Sequence, residues 1–234
     1  MIDIHCHILP AIDDGPADLA TAVAMARLAA ADGITTIVAT PHLNSRLYDQ
    51  REIGDRLALL SEALRREGLA LELLAGADVS AMLPPDALRS FTINRSRYLL
   101  VEFPHAYLPG NAREILYEFV LQGFWPIITH PERNGGIVAN PGLLLDLLAD
   151  GIFVQLTAGS LTGDFGPAPE ACAQYLLRRG AVHFLATDAH SPGRRPPLLS
   201  AGLAVASEII GREEALRLVH HNPAAVLADL PLHA

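Results

Sequence analysis

The sequence predicts an α/β fold of repeated β-α units that closes into a small parallel barrel of seven strands. Half of the 234 residues are hydrophobic and 18% are charged, which is the composition of a chain that buries a core. Short runs rich in Ile, Val, Leu and Thr alternate with longer helical segments. This alternation also fits a doubly wound open sheet, and the polar residues that follow the strands favour the barrel.

The predicted strands are short apolar runs. They cover residues 1–5, 34–39, 71–75, 98–101, 126–129, 152–156 and 182–186. We find no repeat, low-complexity tract or charged run between them. We therefore expect one domain over residues 1–234.

The predicted helices fill the intervals between the strands. Helices over residues 17–31, 52–67 and 111–122 are followed by Gly33, Gly68 and Gly123, because glycine readily adopts the left-handed conformation that ends a helix. Later helices are predicted over residues 141–150, 169–179, 198–210, 213–220 and 223–228. Several of these begin near a proline, which the first helical turn tolerates.

Charge and composition exclude several classes of function. The net charge of -9 offers no broad basic patch, so we expect no binding to nucleic acid. All 17 basic residues are arginine, and the absence of lysine excludes a Walker A loop, a Schiff-base lysine and a carbamylated-lysine metal bridge. No apolar run reaches the ~18 residues that span a bilayer, so we expect no membrane insertion. Two isolated cysteines and no recognisable signal peptide predict a cytoplasmic protein.

Potential metal ligands begin in the first strand. His5 and His7 are two residues apart, so a strand directs both imidazoles to one face, where they can bind one metal. Taken alone, the pair fits two half-buried structural histidines equally well.

Further ligand types follow the other strands at their carboxyl ends. These are Asp13 and Asp14 after the first strand, His42 after the second, Asp78 after the third, Glu102 after the fourth, His130 after the fifth, and Asp188 and His190 after the last. In a parallel barrel these ends form one rim, so the side chains should converge. Imidazoles and carboxylates without thiolates suit Mn, Fe or Zn in a multinuclear hydrolytic site.

The motifs that contain these residues resemble the PHP (polymerase and histidinol phosphatase) superfamily. They are Asp13-Asp14-Gly15-Pro16, Thr40-Pro41-His42, Glu102-Phe103, Thr129-His130-Pro131-Glu132-Arg133 and Thr187-Asp188-Ala189-His190. Together with Arg194-Arg195-Pro196-Pro197, they are most similar to the bacterial manganese-dependent protein tyrosine phosphatases of capsular and exopolysaccharide systems.

The resemblance implies a distorted (β/α)7 PHP barrel, similar to a TIM barrel, with three divalent metal ions at the carboxyl rim. Its ligand sets are His5, His7, Asp78 and Asp188 for the first ion, Asp78, Glu102 and His130 for the second, and Asp14, His42 and His190 for the third. Arg133 and Arg195 match the catalytic, phosphate-binding arginines, and Arg194 lies next to the latter. The family usually has glutamate where this chain has Asp78. Manganese is the expected metal, with Fe, Co and Zn as alternatives.

The implied activity is hydrolysis of phosphotyrosine by a metal-bridged hydroxide, on the tail of a bacterial tyrosine kinase that regulates capsule or exopolysaccharide synthesis. Two alternatives remain: a PHP phosphatase of a small metabolite such as histidinol phosphate, and a non-catalytic metal-binding or kinase-docking module. A nuclease fits the acidic charge less well. The oligomeric state is left open, a homo-oligomer included.

Several other polar residues have structural interpretations. Cys172 and Arg178 match the C-x5-R spacing of cysteine-dependent phosphatases, but the segment between them has no glycine and is predicted as a helix. We expect His105 to lie in an exposed loop, and Asp13 and Glu132 to support ligands or face solvent. Asp3 either orients an imidazole or is a buried structural carboxylate. The remaining histidines, His183, His220, His221 and His233, are expected to be structural or exposed.

Overall fold

Neighbouring strands are parallel throughout the computed structural model, which describes residues 1–44, 50–148 and 151–232. The strands of the described chain are β1 (Ile2–Cys6), β2 (Thr36–Ala39), β3 (His42–Leu43), β4 (Glu72–Ala75), β5 (Asp78–Ser80), β6 (Tyr98–Glu102), β7 (Trp125–Thr129), β8 (Phe153–Thr157) and β9 (Phe184–Ala186). They form one sheet in the order β1-β2-β4 and a second in the order β3-β5-β6-β7-β8-β9. The fold is therefore mixed α/β with parallel sheets.

The two sheets adjoin each other at both edges. Strand β3 follows β2 after an interruption at Pro41, which has no N–H to donate, and β5 follows β4 after Gly76. His42 pairs with Asp78 in the second sheet, as Ala39 pairs with Ala75 in the first. At the other edge, Cys6 of β1 forms an isolated parallel bridge with Ala189, just after β9.

The helices pack around these sheets. They are α1 (Leu19–Ala31), α2 (Gln50–Arg66), α3 (Ala112–Leu121), α4 (Gly135–Ala139), α5 (Gly142–Leu145), α6 (Ala158–Leu161), α7 (Pro167–Arg178), α8 (Ser200–Ile210), α9 (Arg212–Leu216) and α10 (Asn222–Leu227). Asp18 caps α1 by accepting a hydrogen bond from the Thr21 N–H at 2.8 Å. Within the described ranges, no helix combines the length and apolar character that a membrane crossing requires.

The core has two clusters of buried side chains. The larger one lies between the sheets and the helices and includes Met25, Leu60 and Phe119. The smaller cluster consists mainly of side chains from strands of both sheets. It also contains Val226 of α10. Its strand members include Ile4, Val38, Leu100, Ile127 and Phe184, from β1, β2, β6, β7 and β9. The strands thus direct side chains to a shared interior.

The structure places a strand at each of the seven predicted positions, with ends that shift by one or two residues. The two- and three-residue strands β3 and β5 were not predicted, and neither were the short helices α4 and α6. The helix predicted over residues 141–150 is too long, because α5 ends at Leu145, and residues 149–150 lie outside the described chain. The prediction of one continuous α-helix over residues 213–220 is wrong, because α9 ends at Leu216 and a π-helical turn follows over Arg217–His221.

Candidate metal centre

The potential ligands that follow the strands converge at one end of the sheets. Among the described residues, imidazoles and carboxylates form five overlapping groups, and within each group the ligand atoms lie within 4.8 Å of one another. They contain all nine predicted ligands, which are His5, His7, Asp14, His42, Asp78, Glu102, His130, Asp188 and His190. They add one residue, His105.

The most buried part of the centre surrounds His5. Its Nε2 lies 3.3 Å from Asp188 Oδ1 and 3.5 Å from Asp78 Oδ2, and 3.2 Å from the Nε2 of His7. On the other side of the ring, Nδ1 lies 2.9 Å from Gln155 Oε1. Because an amide oxygen can only accept a hydrogen bond, Nδ1 carries the proton and donates, which leaves the Nε2 lone pair for a metal.

A second part of the centre lies around Glu102 at the end of β6. Glu102 Oε1 is 3.4 Å from His130 Nε2, and Glu102 Oε2 is 3.5 Å from His42 Nδ1. His105 Nε2 is 3.2 Å from Glu102 Oε1, and its ring stacks on that of His130. His105 is 56% exposed, as expected of a loop residue, yet it belongs to this group. Its position three residues beyond a strand-end glutamate was the signal in the sequence.

The third part of the centre surrounds Asp14. Asp14 Oδ1 lies 3.3 Å from His190 Nε2 and 3.7 Å from His42 Nε2. Asp13 supports this part from behind, because its Oδ2 is 2.7 Å from His7 Nδ1 and accepts the His42 N–H at 3.1 Å. Asp13 therefore orients a potential ligand and does not face solvent.

The carboxylates and imidazoles strongly perturb each other's pKa values. Burial alone would lower the pKa of His5, but Asp188 and Asp78 raise it to about 9. Burial likewise opposes the shift at His42, where Asp78, Glu102 and Asp14 raise the pKa to about 9. The pKa of Asp78 lies well below its usual range despite burial, because His5 and His42 stabilise the carboxylate. The centre therefore favours positive charge among its carboxylates.

The residues present fit divalent cations. Asp78 Oδ2 and His190 Nε2 are buried and have no hydrogen-bond partner among the described residues. Such atoms are costly to leave unsatisfied, and a metal ion would satisfy both. A donor set of imidazole and carboxylate, without thiolate, is the one that Mn, Fe and Zn accept.

Two arginines border the centre. Arg133 Nη1 and Arg195 Nη2 both donate to Asp188 Oδ2, and Arg195 Nη2 also donates to the Asp188 carbonyl at 2.9 Å. Arg194 is exposed, and its backbone N–H donates to Ser191 Oγ. All three predicted arginines are thus near the rim, but the Arg195 side chain is the member of the pair that reaches the ligands.

The backbone at two of the potential ligands is held in an uncommon conformation. His130 and Asp188 have φ values of 32° and 49°, in the left-handed region that non-glycine residues avoid. Asp3 secures the second of these segments, because it accepts hydrogen bonds from the Thr187 N–H at 3.0 Å and from the Thr187 hydroxyl at 2.5 Å. Burial raises the pKa of Asp3 to about 6. Both hydrogen bonds go to Thr187, so they anchor the segment before Asp188 and do not orient an imidazole.

Glu132 lies between His130 and Arg133 and is fully buried. Its Oε1 accepts hydrogen bonds from the Thr157 N–H at 2.9 Å and the Ser160 hydroxyl at 2.7 Å. The expected surface position of Glu132 is therefore wrong, and these two hydrogen bonds fix the segment after β7 to the end of β8 and to α6.

The alternative cysteine site is not formed. Cys172 is buried on α7, and burial raises the pKa of its thiol to about 12. His183 is structural, because its Nδ1 accepts the Val154 N–H at 3.1 Å. His221 is exposed, and His220 is partly buried in the π-helical turn. His233 lies outside the described residues.

Comparison with known families identifies the relationship. The family model described as capsular polysaccharide synthesis, CpsB/CapC, matches residues 1–228. The chain belongs to the CpsB/CapC family. The expected relationship to the tyrosine phosphatases of capsular systems is thereby confirmed.

Several relatives of this chain are named tyrosine-protein phosphatases, and two of them illustrate the similarity. Tyrosine-protein phosphatase YwqE of Bacillus subtilis (strain 168) is 39% identical over 219 residues, which cover 91% of this chain and 86% of the relative. Tyrosine-protein phosphatase CpsB of Streptococcus pneumoniae is 27% identical over 245 residues, covering 98% and 99%.

Solved structures extend the CpsB/CapC comparison. This chain matches a chain from the crystal structures of YwqE of Bacillus subtilis and CpsB of Streptococcus pneumoniae, with a TM-score of 0.92 and 36% identity. Those proteins are described as unique metal-dependent tyrosine phosphatases. The match covers 100% of this chain and 96% of that one. Dihydropyrimidinase from Brevibacillus agri NCHU1002 matches with a TM-score of 0.59 at 12% identity, covering 98% and 71% of the two chains, and shows a shared fold only.

Proposed function

We propose that this chain is a metal-dependent protein-tyrosine phosphatase whose substrate is a bacterial tyrosine kinase that regulates capsule or exopolysaccharide synthesis. The observation that supports this most is the convergence of nine imidazole and carboxylate ligands with Arg133 and Arg195 at one end of the sheets. The names of YwqE and CpsB support the substrate class.

The centre would hold three divalent ions. Manganese is the proposed metal, and Fe, Co and Zn are the alternatives. The proposed ligand sets follow from the family resemblance and are His5, His7, Asp78 and Asp188, then Asp78, Glu102 and His130, then Asp14, His42 and His190. Each of these nine residues belongs to at least one of the clusters of potential ligands. When bound, such ions supply positive charge and can lower the pKa of water from 15.7 to about 7. The proposed fold is a single domain over residues 1–234, a distorted (β/α)7 barrel in which the Cys6–Ala189 bridge joins the first and last strands.

The arginines would bind the phosphoryl group. Arg133 and Arg195 now share Asp188 as an acceptor, and planar guanidinium groups bind phosphate oxygens in the same way. They supply local positive charge that the molecule lacks overall, at a net charge of -9. A phenolate leaving group has a pKa near 10, so tyrosine phosphate requires less acid catalysis than an alkyl ester.

The test compares substrates after metal removal. The protein is stripped with a chelator, and Mn, Co, Zn or Mg is restored before assay on a tyrosine-phosphorylated peptide, histidinol phosphate and a phosphodiester. We expect activity that manganese restores and that favours the peptide. Activity on the small metabolite alone would reassign the chain to metabolite phosphatases, and metal binding without turnover would favour a docking module.

A further inference from the structure

Phe165 lies outside the hydrophobic core and beside the candidate metal centre. It is half-buried and belongs to neither core cluster of the described chain. Instead it lines a cavity of about 810 Å³ together with Asp14, His190, Arg194 and Arg195. Among the described residues that line this cavity, Phe165 carries the one phenyl or indole ring.

The turn that carries Phe165 is held in a defined conformation. Gly163 and Gly166, on either side of it, have φ values of 83° and 92°, which glycine adopts without strain. The Asp164 N–H donates to the Gly159 carbonyl at 3.0 Å, and the Gly166 N–H donates to the Gly163 carbonyl at 2.9 Å. A Cβ on Gly159 would lie 3.3 Å from Phe165 Cε2, so the ring packs closely on this backbone.

The ring lies against both arginines of the site. The guanidinium carbon of Arg133 is 4.4 Å from the ring centroid, and that of Arg195 is 5.9 Å away. Both guanidinium groups point to Asp188. A phosphoryl group held between them and the ligands would therefore have its ester group on the side of the open cavity, next to Phe165.

We propose that Phe165 is a specificity-determining residue that contacts the phenyl ring of the phosphotyrosine substrate. The inference rests on the proposed function and deepens it, because Phe165 carries the one phenyl ring among the described residues that line this cavity, and the other aromatic ring there, the imidazole of His190, belongs to the proposed metal centre. Offset or edge-on contact between two rings is favourable beyond the area that it buries. Removal of the ring should therefore weaken aryl ligands selectively.

The test measures binding of two phosphonates that are not hydrolysed. Manganese-loaded protein is titrated by calorimetry with phenylphosphonate and with methylphosphonate. We expect Phe165→Leu to weaken phenylphosphonate about five- to ten-fold and to change methylphosphonate by less than about two-fold. Phe165→Tyr should keep the preference for the aryl ligand, and the control Tyr117→Leu, which removes an exposed ring on α3, should change neither affinity.

Two results would overturn the inference. Equal weakening of both phosphonates would show that Phe165 acts only by positioning the arginines, and an unchanged preference for phenylphosphonate would show that the ring is not contacted. On a phosphotyrosine peptide, we expect Phe165→Leu to raise KM and to leave kcat nearly unchanged. Failure of the proposed function is a separate outcome, in which the wild-type protein binds phenylphosphonate through Phe165 but does not hydrolyse the peptide.

Discussion

At the scale of single residues, Asp78 is the most informative of the proposed ligands. The resemblance implies a glutamate that bridges two metals, and aspartate is one methylene shorter. Even so, Asp78 Oδ2 lies 3.5 Å from His5 Nε2, which belongs to the first proposed ligand set, and Asp78 also shares a group of ligand atoms within 4.8 Å of one another with Glu102 of the second set. The close backbone pairing of Asp78 with His42 on β3 brings the shorter side chain within reach.

The first prediction concerns Asp78→Ala. We expect it to lose at least one bound metal and more than about 100-fold in kcat/KM, because even supporting partners of metal ligands contribute roughly 10- to 100-fold. Metal content measured by mass spectrometry, together with phosphatase assays, provides the check. Asp78→Glu should retain both properties. Full metal content and activity in Asp78→Ala would show that Asp78 is not a ligand.

The second prediction separates the two neighbouring arginines. Arg195→Lys should lower kcat/KM about 100-fold, because it removes a directed donor that lysine cannot replace. Arg194→Lys should change it by less than about three-fold, since Arg194 is exposed. Steady-state kinetics on a phosphotyrosine peptide compares the two. Equal losses in the two variants would contradict the assignment.

At the scale of elements, His183 links the start of β9 to β8. Its Nδ1 accepts the Val154 N–H at 3.1 Å, and burial lowers its pKa to about 4 from an ordinary value near 6.5. Between these values the unfolded chain binds a proton that the folded chain does not. The contribution of His183 to stability is therefore complete above about pH 6.5 and is lost as the pH falls toward 4.

The third prediction follows from this pKa. Between pH 6.5 and 5, the free energy of unfolding of the wild type should fall by up to about 1.4 kcal/mol per pH unit more than that of His183→Gln. Urea denaturation at both pH values measures the difference, and the metal ligands titrate equally in both proteins. The exposed His221→Gln serves as the control and should behave as the wild type. Identical pH dependence in His183→Gln and the wild type would refute the assignment.

Elements were predicted where a run of residues carries the signal. The strand over Ile2–Cys6 and the helix over Leu19–Ala31 are both long enough for a period to appear. Strands β3 and β5 were missed because two or three residues cannot show alternation, and their strand conformation depends on pairing with each other. The π-helical turn over Arg217–His221 packs against β9 and α10, and such contacts between distant segments are not readable from local preference.

At the scale of the whole molecule, the centre gathers its ligands from segments between residues 5 and 190. Bound metal should therefore stabilise the entire fold, because the ligands are together only in the folded state.

The fourth prediction is that manganese at about 100 times its Kd stabilises the protein by about 2.7 kcal/mol relative to chelated protein. For a chain of this length, that corresponds to a rise in melting temperature of about 5 to 10 °C. Thermal denaturation with excess chelator and with restored manganese measures the change, and Asp78→Ala should show a smaller one. An unchanged melting temperature would mean that these residues do not bind the metal.

The sequence by itself determined the α/β class, the positions of the main strands, and which potential ligand types follow those strands, because these depend on local periodicity and residue identity; the family resemblance then selected nine of these residues as ligands. Only the tertiary structure decided which ligands lie together, that His105 joins Glu102 and His130, and that Arg195 rather than Arg194 faces Asp188. It also placed Phe165 against the arginines. These facts depend on distances between residues far apart in the chain, which arise when the strands pair.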